Sequence, residues 1–316
     1  MKTRNWLFVT GVPRSGTTFL GKILSLPRAV DYLHEPFNPV WGMQGIDRQY
    51  LYVRKDDPSA QRYRDLIDNL FTYNFTYKVG GSTREKQWKQ KVRQVVGSRR
   101  AWSLYRAKLN PFHTTMIIKD PIGCLLTEYL AQTYDIKPVI IIRHPLAVVA
   151  SALRLNLSID LAPLRQQRAL IEDYFADEAV FLNMHRLTLV ENTAALWRAL
   201  NKVLLIQSRR HPDWKLVTHE ALAQNPIQQF QILYEDLGLP WSSSVHTQIQ
   251  KLTGQNNPVD VPSSRFQALK RNSGGLFRHS FERLPQADRE TVLRITEDIA
   301  LQFYPETSFH KATAFG

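Results

Sequence analysis

The sequence predicts an α/β fold in which helices flank a central parallel sheet. A short apolar run at residues 6–10 leads through a loop with two glycines into a segment with apolar residues at helical spacing. Residues 137–143 are apolar almost throughout, as expected for a strand of a parallel sheet that is covered on both faces. Apolar strand-like runs alternate with helical patterns along the chain, which is typical of βαβ units.

The individual elements are predicted from apolar periodicity and from the residues that interrupt it. Pro27 ends the first helix, and the pairs Glu35-Pro36 and Asp120-Pro121 end the second and third strands. The predicted strands are residues 6–10, 29–33, 115–119, 137–143 and 214–218. The predicted helices are residues 17–26, a segment ending at about 134, a segment starting at Pro145, a region of helical spacing at 160–208, residues 226–237 and residues 285–303.

Length and patterning predict one domain, residues 1–316, with an insertion. A chain of 316 residues is long enough for one α/β domain with insertions or for two domains. Residues 41–114, predicted to be helical in pieces, form the insertion, which we expect to cap the site on its acceptor side. Residues 254–280 lack periodicity and contain three glycines, which predicts a loop that folds over a ligand.

The net charge of +13 is concentrated in one part of the chain. Residues 78–108 contain ten Lys or Arg residues and one acidic residue, Glu85, with Trp88, Trp102 and Tyr105 interleaved. Such a run is either a solvated helix face or a surface for an anionic partner. No helix-turn-helix, zinc-finger or RRM pattern is present, so no nucleic-acid partner is expected.

Cysteine usage and hydropathy predict a cytoplasmic protein without a metal site. Cys124 is the single cysteine, which excludes an intramolecular disulfide. No apolar stretch approaches the roughly 18 residues that a membrane span needs. The pairs His34-Glu35 and His219-Glu220 each begin an H-E-x-x-H pattern but lack its second histidine.

The loop GVPRSGTT, residues 11–18, indicates a phosphate cradle between a strand and a helix. Backbone N–H groups at such a helix start form an anion-binding concavity. A Walker motif would have lysine where this chain has Thr17, and a cation, Arg14, lies inside the loop instead. The candidate anion-binding residues are Arg14, Ser15, Gly16, Thr17 and Thr18.

A second constellation follows the predicted fourth strand. Arg143 stands at the strand's carboxyl end, and Ser151 lies eight residues later in the following helix. A guanidinium fork and a hydroxyl at this spacing could grip one phosphate group together. The spacing is common by chance, and it gains specificity only when it is paired with the first loop.

Together these stretches resemble the sulfotransferases that use 3′-phosphoadenosine-5′-phosphosulfate (PAPS). Four further stretches are similar to family motifs, the first to one of the carbohydrate branch and the second to one of the tyrosylprotein branch. They are His34-Glu35-Pro36-Phe37, Ile118-Lys119-Asp120-Pro121, Leu196-Trp197-Arg198 and residues 217–222. The last departs from the family pattern, because His219 stands where a nucleotide-contacting tyrosine is more common.

The resemblance implies roles for both constellations. The PRSGTT loop would hold the 5′-phosphosulfate, with Arg14 meeting charge on the bridging oxygen, and Arg143 with Ser151 would hold the 3′-phosphate. The glycine-containing late loop would close over the same phosphate. Its candidate residues are Arg271, Ser273 and Arg278.

The resemblance also implies a catalytic group beside the donor. Glu35, just past the second strand, is the expected general base for an acceptor hydroxyl, and His34 is the competing base. Lys119 ends a central strand at the same edge of the sheet and is expected to contact the transferring sulfuryl oxygens. A structural N-cap or ion pair is the alternative role for Glu35, and a structural salt bridge for Lys119.

The predicted function is PAPS-dependent O-sulfotransfer by a soluble, bacterial-type enzyme without a membrane anchor. The basic, aromatic-rich segment favours a polar or anionic acceptor such as a glycan or glycolipid. Two alternatives remain at this point: a P-loop kinase of a small metabolite, and a non-catalytic module that binds an anion or nucleic acid. The acceptor and the oligomeric state are not specified by the sequence.

Overall fold

A computed structural model of the chain describes residues 3–78, 99–178, 187–254 and 284–306. Its centre is a five-stranded sheet in the order β2-β3-β1-β4-β5, and every neighbouring pair is parallel. The strands are β1 Asn5–Thr10, β2 Val30–His34, β3 Thr115–Lys119, β4 Ile136–Ile142 and β5 Lys215–Thr218. The predicted α/β class is therefore confirmed.

Helices, numbered here over the described residues, connect the strands and cover both faces of the sheet. The first eight are α1 Thr17–Leu24, α2 Gln61–Phe71, α3 Arg99–Leu109, α4 Thr127–Thr133, α5 Pro145–Arg154, α6 Ala162–Arg165, α7 Arg168–Tyr174 and α8 Leu189–Arg210. The later ones are α9 His219–Gln224, α10 Pro226–Asp236, α11 Ser243–Thr253 and α12 Gln286–Ala300. None of these helices is long and apolar enough to cross a membrane.

Alternation along the central strands sends side chains into separate cores on the two faces. Leu7 and Val9 of β1 pack with α1 and α10 on one face, whereas Phe8 points to the other. On the second face, α5, α8 and α12 pack over β4. A third cluster joins α2, α3 and α4 to β2 and β3, so the described part of the 41–114 segment contributes to the core.

Parallel register aligns the carboxyl ends of the central strands. Lys119 of β3 pairs with His34 of β2 on one side and with Val9 of β1 on the other. Thr10 of β1 pairs with Ile140 of β4. The N–H of Asp120 donates to the carbonyl of Val9 at 3.0 Å, and the Thr10 hydroxyl donates to the Asp120 carbonyl at 2.8 Å. The residues that follow β1, β2 and β3 therefore meet at one edge.

The predicted strands agree with the structure to within one residue at each end, but the region 160–208 is not continuous helix. Gln167 has an extended backbone (φ −105°, ψ 91°) and separates α6 from α7. Its side chain accepts from the N–H of Tyr52 and donates to the carbonyls of Tyr50 and Pro163, so the break is held by tertiary hydrogen bonds. The first helix ends at Leu24 and the last at Ala300, slightly earlier than predicted.

The central strand provides a test of this packing. Phe8 is fully buried, with its ring edge-on to Phe37 at 6.3 Å between centroids. We expect Phe8→Ala to lower the free energy of unfolding by about 3–5 kcal/mol, because it leaves a cavity in the third cluster. Leu216→Ala, in the partly exposed edge strand β5, should cost less than about 1 kcal/mol. Urea unfolding of both variants measures the difference, and equal losses would contradict the described core.

Candidate active site

The loop after β1 is forced against its neighbours, and two glycines make this possible. Gly11 has φ +147°, and a Cβ there would lie 2.2 Å from the carbonyl oxygen of Ile141 in β4. Gly16 has φ +101°, and its Cβ would lie 2.7 Å from Cδ2 of His219. Any larger residue would push the loop away from β4 and α9. The sequence thus fixes where the predicted anion cradle lies.

The two predicted constellations are in direct contact. Nε of Arg14 donates to the Ser151 hydroxyl at 3.0 Å, and Nη1 of Arg143 donates to the backbone carbonyl of Arg14 at 3.1 Å. Arg14 itself has φ +76°, a left-handed conformation that turns its carbonyl toward Arg143. Residues that are 129 and 137 positions apart in sequence therefore form one site.

Two buried polar atoms in this site have no hydrogen-bond partner in the chain as described. They are the hydroxyl of Ser15, a fully buried residue, and Nε of Arg143, which is 9 % exposed. A buried polar atom left without a partner costs about 1–3 kcal/mol, so such atoms commonly mark a ligand position. Thr17, also buried, and Thr18 begin α1, whose N-cap Gly16 has no side-chain cap. The donor set therefore fits an anion.

The turn that carries Arg143 is held by residues from three other elements. Nε1 of Trp197 donates to the Arg143 carbonyl at 2.9 Å, and the N–H of His144 donates to the Glu220 carboxylate at 3.1 Å. The Tyr304 hydroxyl donates to the other Glu220 oxygen at 2.9 Å. Burial raises the pKa of Glu220, while the Arg143 charge acts in the opposite direction.

Glu35 and Lys119 form a buried ion pair at the ends of β2 and β3. Nζ of Lys119 lies 2.5 Å from Oε1 of Glu35, and the Glu35 N–H donates to the Lys119 carbonyl at 2.8 Å. Lys119 is fully buried and Glu35 is 8 % exposed. Gly21 of α1 makes room for this pair, since a Cβ there would lie 3.3 Å from Cγ of Lys119. The two predicted catalytic residues are thus paired with each other.

The second carboxylate oxygen of Glu35 also has partners. Nδ2 of Asn38 donates to Oε2 at 3.2 Å and Nε1 of Trp41 donates to it at 3.1 Å. Burial acts to raise the pKa of Glu35, but the charges of Lys119 and His34 and these hydrogen bonds outweigh it, so the pKa lies below its ordinary value. Glu35 is therefore a carboxylate at neutral pH.

His34 lies beside the pair and faces the partly exposed side. Its Nε2 is 3.7 Å from Oε1 of Glu35, and its Nδ1 is 3.2 Å from the Tyr32 hydroxyl. The position is compatible both with a proton acceptor and with support for Glu35. The alternative base that the sequence offered thus remains adjacent to the first choice.

Asp120 organises the turns around Glu35. Its carboxylate accepts from the N–H groups of Phe37 at 2.6 Å, Ile122 at 2.9 Å and Gly123 at 3.0 Å. Complete burial and the nearby Glu35 charge raise the pKa of Asp120 to about 7. Asp120 therefore ties the residues after β2 to those after β3.

Sequence reasoning assigned no role to Glu220, Tyr304, Trp197, Asp120 or Trp41. The sequence gives a partial indication for four of them. Asp120, Trp197 and Glu220 lie within the quoted family-like stretches, and Trp41 begins the predicted insertion. Tyr304 has none. The candidates Arg271, Ser273 and Arg278 lie outside the described residues.

Comparison with known proteins identifies the family. The model of the sulfotransferase family matches residues 7–243. No curated protein matches the chain. Similar solved structures include a sulfotransferase domain from the curacin biosynthetic pathway, with 14% identity over 99% of this chain and 98% of that one and a TM-score of 0.44.

Two further solved structures are similar over most of the chain. Retinol dehydratase in a complex with retinol and PAP has 13% identity over 96% of this chain and 83% of its own, with a TM-score of 0.46. A sulfotransferase from Mycobacterium avium has 15% identity over 96% and 77%, with a TM-score of 0.45. Because the family model covers most of the sequence, including the loop, the Glu35–Lys119 pair and Arg143, the chain belongs to the sulfotransferase family of transferases.

Proposed function

We propose that this protein is a PAPS-dependent O-sulfotransferase. The observation that carries the proposal is the contact of the loop after β1 with the Arg143 turn, through the hydrogen bonds of Arg14 with Ser151 and Arg143. A donor with phosphate at both ends of a nucleoside needs two anion sites at a fixed separation on one rigid edge. Family membership supports sulfuryl transfer as the reaction.

The donor would be held by the residues that the sequence singled out. The N–H groups and hydroxyls of 15–18, with Arg14, would bind the 5′-phosphosulfate, and Arg143 with Ser151 would bind the 3′-phosphate. The unpartnered atoms of Ser15 and Arg143 support this assignment, since both need an acceptor or donor. Arg271, Ser273 and Arg278 stay proposals for the closing loop. PAPS supplies an activated sulfuryl group, and PAP leaves.

Transfer breaks the bond between sulfur and the bridging phosphate oxygen and forms one between sulfur and the acceptor oxygen. The acceptor's proton passes to the Glu35 carboxylate, which is ionised at neutral pH. In the described state Lys119 neutralises Glu35 and so weakens it as a base. If Lys119 turns to the sulfuryl oxygens, it both stabilises their charge and releases the basicity of Glu35.

The acceptor would approach over the insertion at 41–114, within the single domain 1–316. One contact supports this approach: Nε1 of Trp41, at the start of the segment, donates to the Glu35 carboxylate. The basic composition of 78–108 favours an anionic or polar acceptor, a glycan or glycolipid. The lone, buried Cys124 is compatible with a cytoplasmic location.

Donor binding can be tested without an acceptor. PAP should raise the unfolding temperature without added metal, whereas ATP with Mg²⁺ should have little effect. Arg143→Ala should weaken PAP binding about 10–100-fold, because it removes a charge-assisted contact to phosphate. Arg168→Ala, in which a 93% exposed arginine side chain is removed, is the matched control. Stabilisation by ATP with Mg²⁺ and not by PAP would indicate a kinase instead.

The base assignment is tested by turnover. Glu35→Gln keeps the shape of the side chain but removes its proton affinity, so we expect kcat to fall about 10²–10⁴-fold while PAP affinity stays near that of the unaltered protein. The kcat of His34→Gln should fall much less. Transfer of labelled sulfate from PAPS to a panel of glycans, glycolipids, phenols and peptides measures both. Normal turnover by Glu35→Gln together with a large loss in His34→Gln would move the role to His34.

The ion pair makes a prediction about stability that does not depend on catalysis. Lys119→Met should lower the free energy of unfolding by about 3–5 kcal/mol at neutral pH, because it leaves the Glu35 carboxylate buried without its cation. The double variant Glu35→Gln/Lys119→Met has no unpaired buried charge, so it should be more stable than Lys119→Met alone.

The pH dependence follows from the lowered pKa of folded Glu35. The pair stabilises the fold above the unfolded carboxyl pKa of about 4.3, and this stabilisation is lost as the pH falls through the lower folded value. The gap between the unaltered protein and Lys119→Met should therefore shrink in acid. Urea unfolding across this range measures it, and a gap that is independent of pH would contradict the ionised pair.

A further inference from the structure

Helix α3 (Arg99–Leu109) has large apolar side chains on the side that faces away from the core. Leu104 and Ala107 are buried against β2 and its neighbours. Trp102, Tyr105 and Leu109, at positions i, i+3 and i+7, share the opposite face and are 58%, 59% and 81% exposed. A helix that packs one apolar face against the sheet and exposes another has a second surface to cover.

The exposed face continues past the end of the helix. Phe112 is 63% exposed, and its N–H donates to the Asn110 side chain at 3.0 Å. Nδ2 of Asn110 in turn donates to the Arg28 carbonyl at 2.9 Å and to the buried Asp31 carboxylate at 2.8 Å. The backbone of Phe112, three residues after Leu109, is thus tied through Asn110 to the buried Asp31.

Cations surround this face. Arg28, Arg106 and Lys108 are exposed, and the sequence from 99 to 109 contains four basic residues and no acidic one. Asp31 is 1% exposed and accepts from Asn110 and His113, and its Oδ1 lies 3.6 Å from Nε of Arg106. The charge of Arg106 is thus partly compensated by a buried carboxylate, and Arg28 and Lys108 supply the remaining positive charge of this surface.

We propose that these seven residues form a docking surface for an anionic lipid bilayer. The surface, which we call the α3 patch, consists of Trp102, Tyr105, Leu109 and Phe112 with Arg28, Arg106 and Lys108. Aromatic and aliphatic side chains bordered by cations are the composition of helices that lie in the membrane interface. Indole and phenol rings favour the headgroup level, and cations are attracted to anionic lipid.

The shape of the patch favours a bilayer over a protein partner. Leu109 and Phe112 are 81% and 63% exposed, and a fluid interface accepts such exposed apolar side chains without a matching groove. Docking of this kind requires neither a sulfate donor nor an acceptor, so it is independent of the proposed transfer reaction.

The apolar part of the patch is tested by cosedimentation of the full chain with vesicles. We expect binding to vesicles of phosphatidylcholine with phosphatidylglycerol and little binding to phosphatidylcholine alone. Leu109→Ser/Phe112→Ser should lower the affinity at least about tenfold. Ile232→Ser replaces an exposed apolar residue on another helix, α10, and should have no effect. Circular dichroism and urea unfolding establish that each variant is folded.

The charged part provides a second, separate variant. Arg28→Gln/Lys108→Gln should lower the affinity for anionic vesicles roughly fivefold for each cation removed, and added salt should weaken binding of the unaltered protein. Lys251→Gln, which removes one exposed lysine on α11, is the control and should have much less effect.

Three results would overturn the proposal. They are the absence of binding to anionic vesicles, equal binding to both kinds of vesicle, and binding that neither double variant weakens. A dimer in analytical ultracentrifugation that Leu109→Ser/Phe112→Ser dissociates would show that a second copy of the chain covers the patch instead. Trp102→Phe adds a direct readout, because it should reduce any blue shift of tryptophan fluorescence on vesicle binding.

Discussion

The close passage of the loop after β1 over β4 is the constraint on which the candidate site depends. Gly11 lets this backbone approach the Ile141 carbonyl, and the approach brings Arg14 within reach of Ser151 and Arg143. If the loop moved outward by the width of a methyl group, these hydrogen bonds would be lost together. The parallel sheet supplies the rest, since β1 and β4 are neighbours in fixed register.

Much of this arrangement could be predicted from the sequence, because the signals are local. Strands β1, β3 and β4 are apolar runs; β1 is followed by Gly11 and β3 by Asp120-Pro121. The glycines of the loop 11–18 indicate its backbone conformation directly. The same locality explains what was missed. Gln167 breaks a helical pattern through contacts with residues more than a hundred positions away, and periodicity carries no information about them.

The residues that support the site also come from distant parts of the sequence. Glu220 and Tyr304 hold the turn of Arg143 only because α9 and the segment after α12 fold back on α5. A tyrosine 84 positions from its carboxylate partner has no local signature. The sequence could place Glu35 and Lys119 at one edge of the sheet. Only the structure shows that the two side chains neutralise each other.

The two buried cations of the site, Arg143 and Lys119, differ in the partners of their N–H groups. This difference distinguishes the proposed donor binding from the proposed chemical step. Glu220 acts as a countercharge to Arg143, whose Nε has no hydrogen-bond partner among the described residues, so an anion can bind there without first breaking a contact. Lys119 already donates to Glu35 and must exchange that partner for another acceptor. The pair of Glu35 and Lys119 is therefore stable while no anion competes for the lysine, which keeps the proposed base weak. A negatively charged group arriving next to Lys119 would strengthen Glu35 at the moment when an acceptor has a proton to lose.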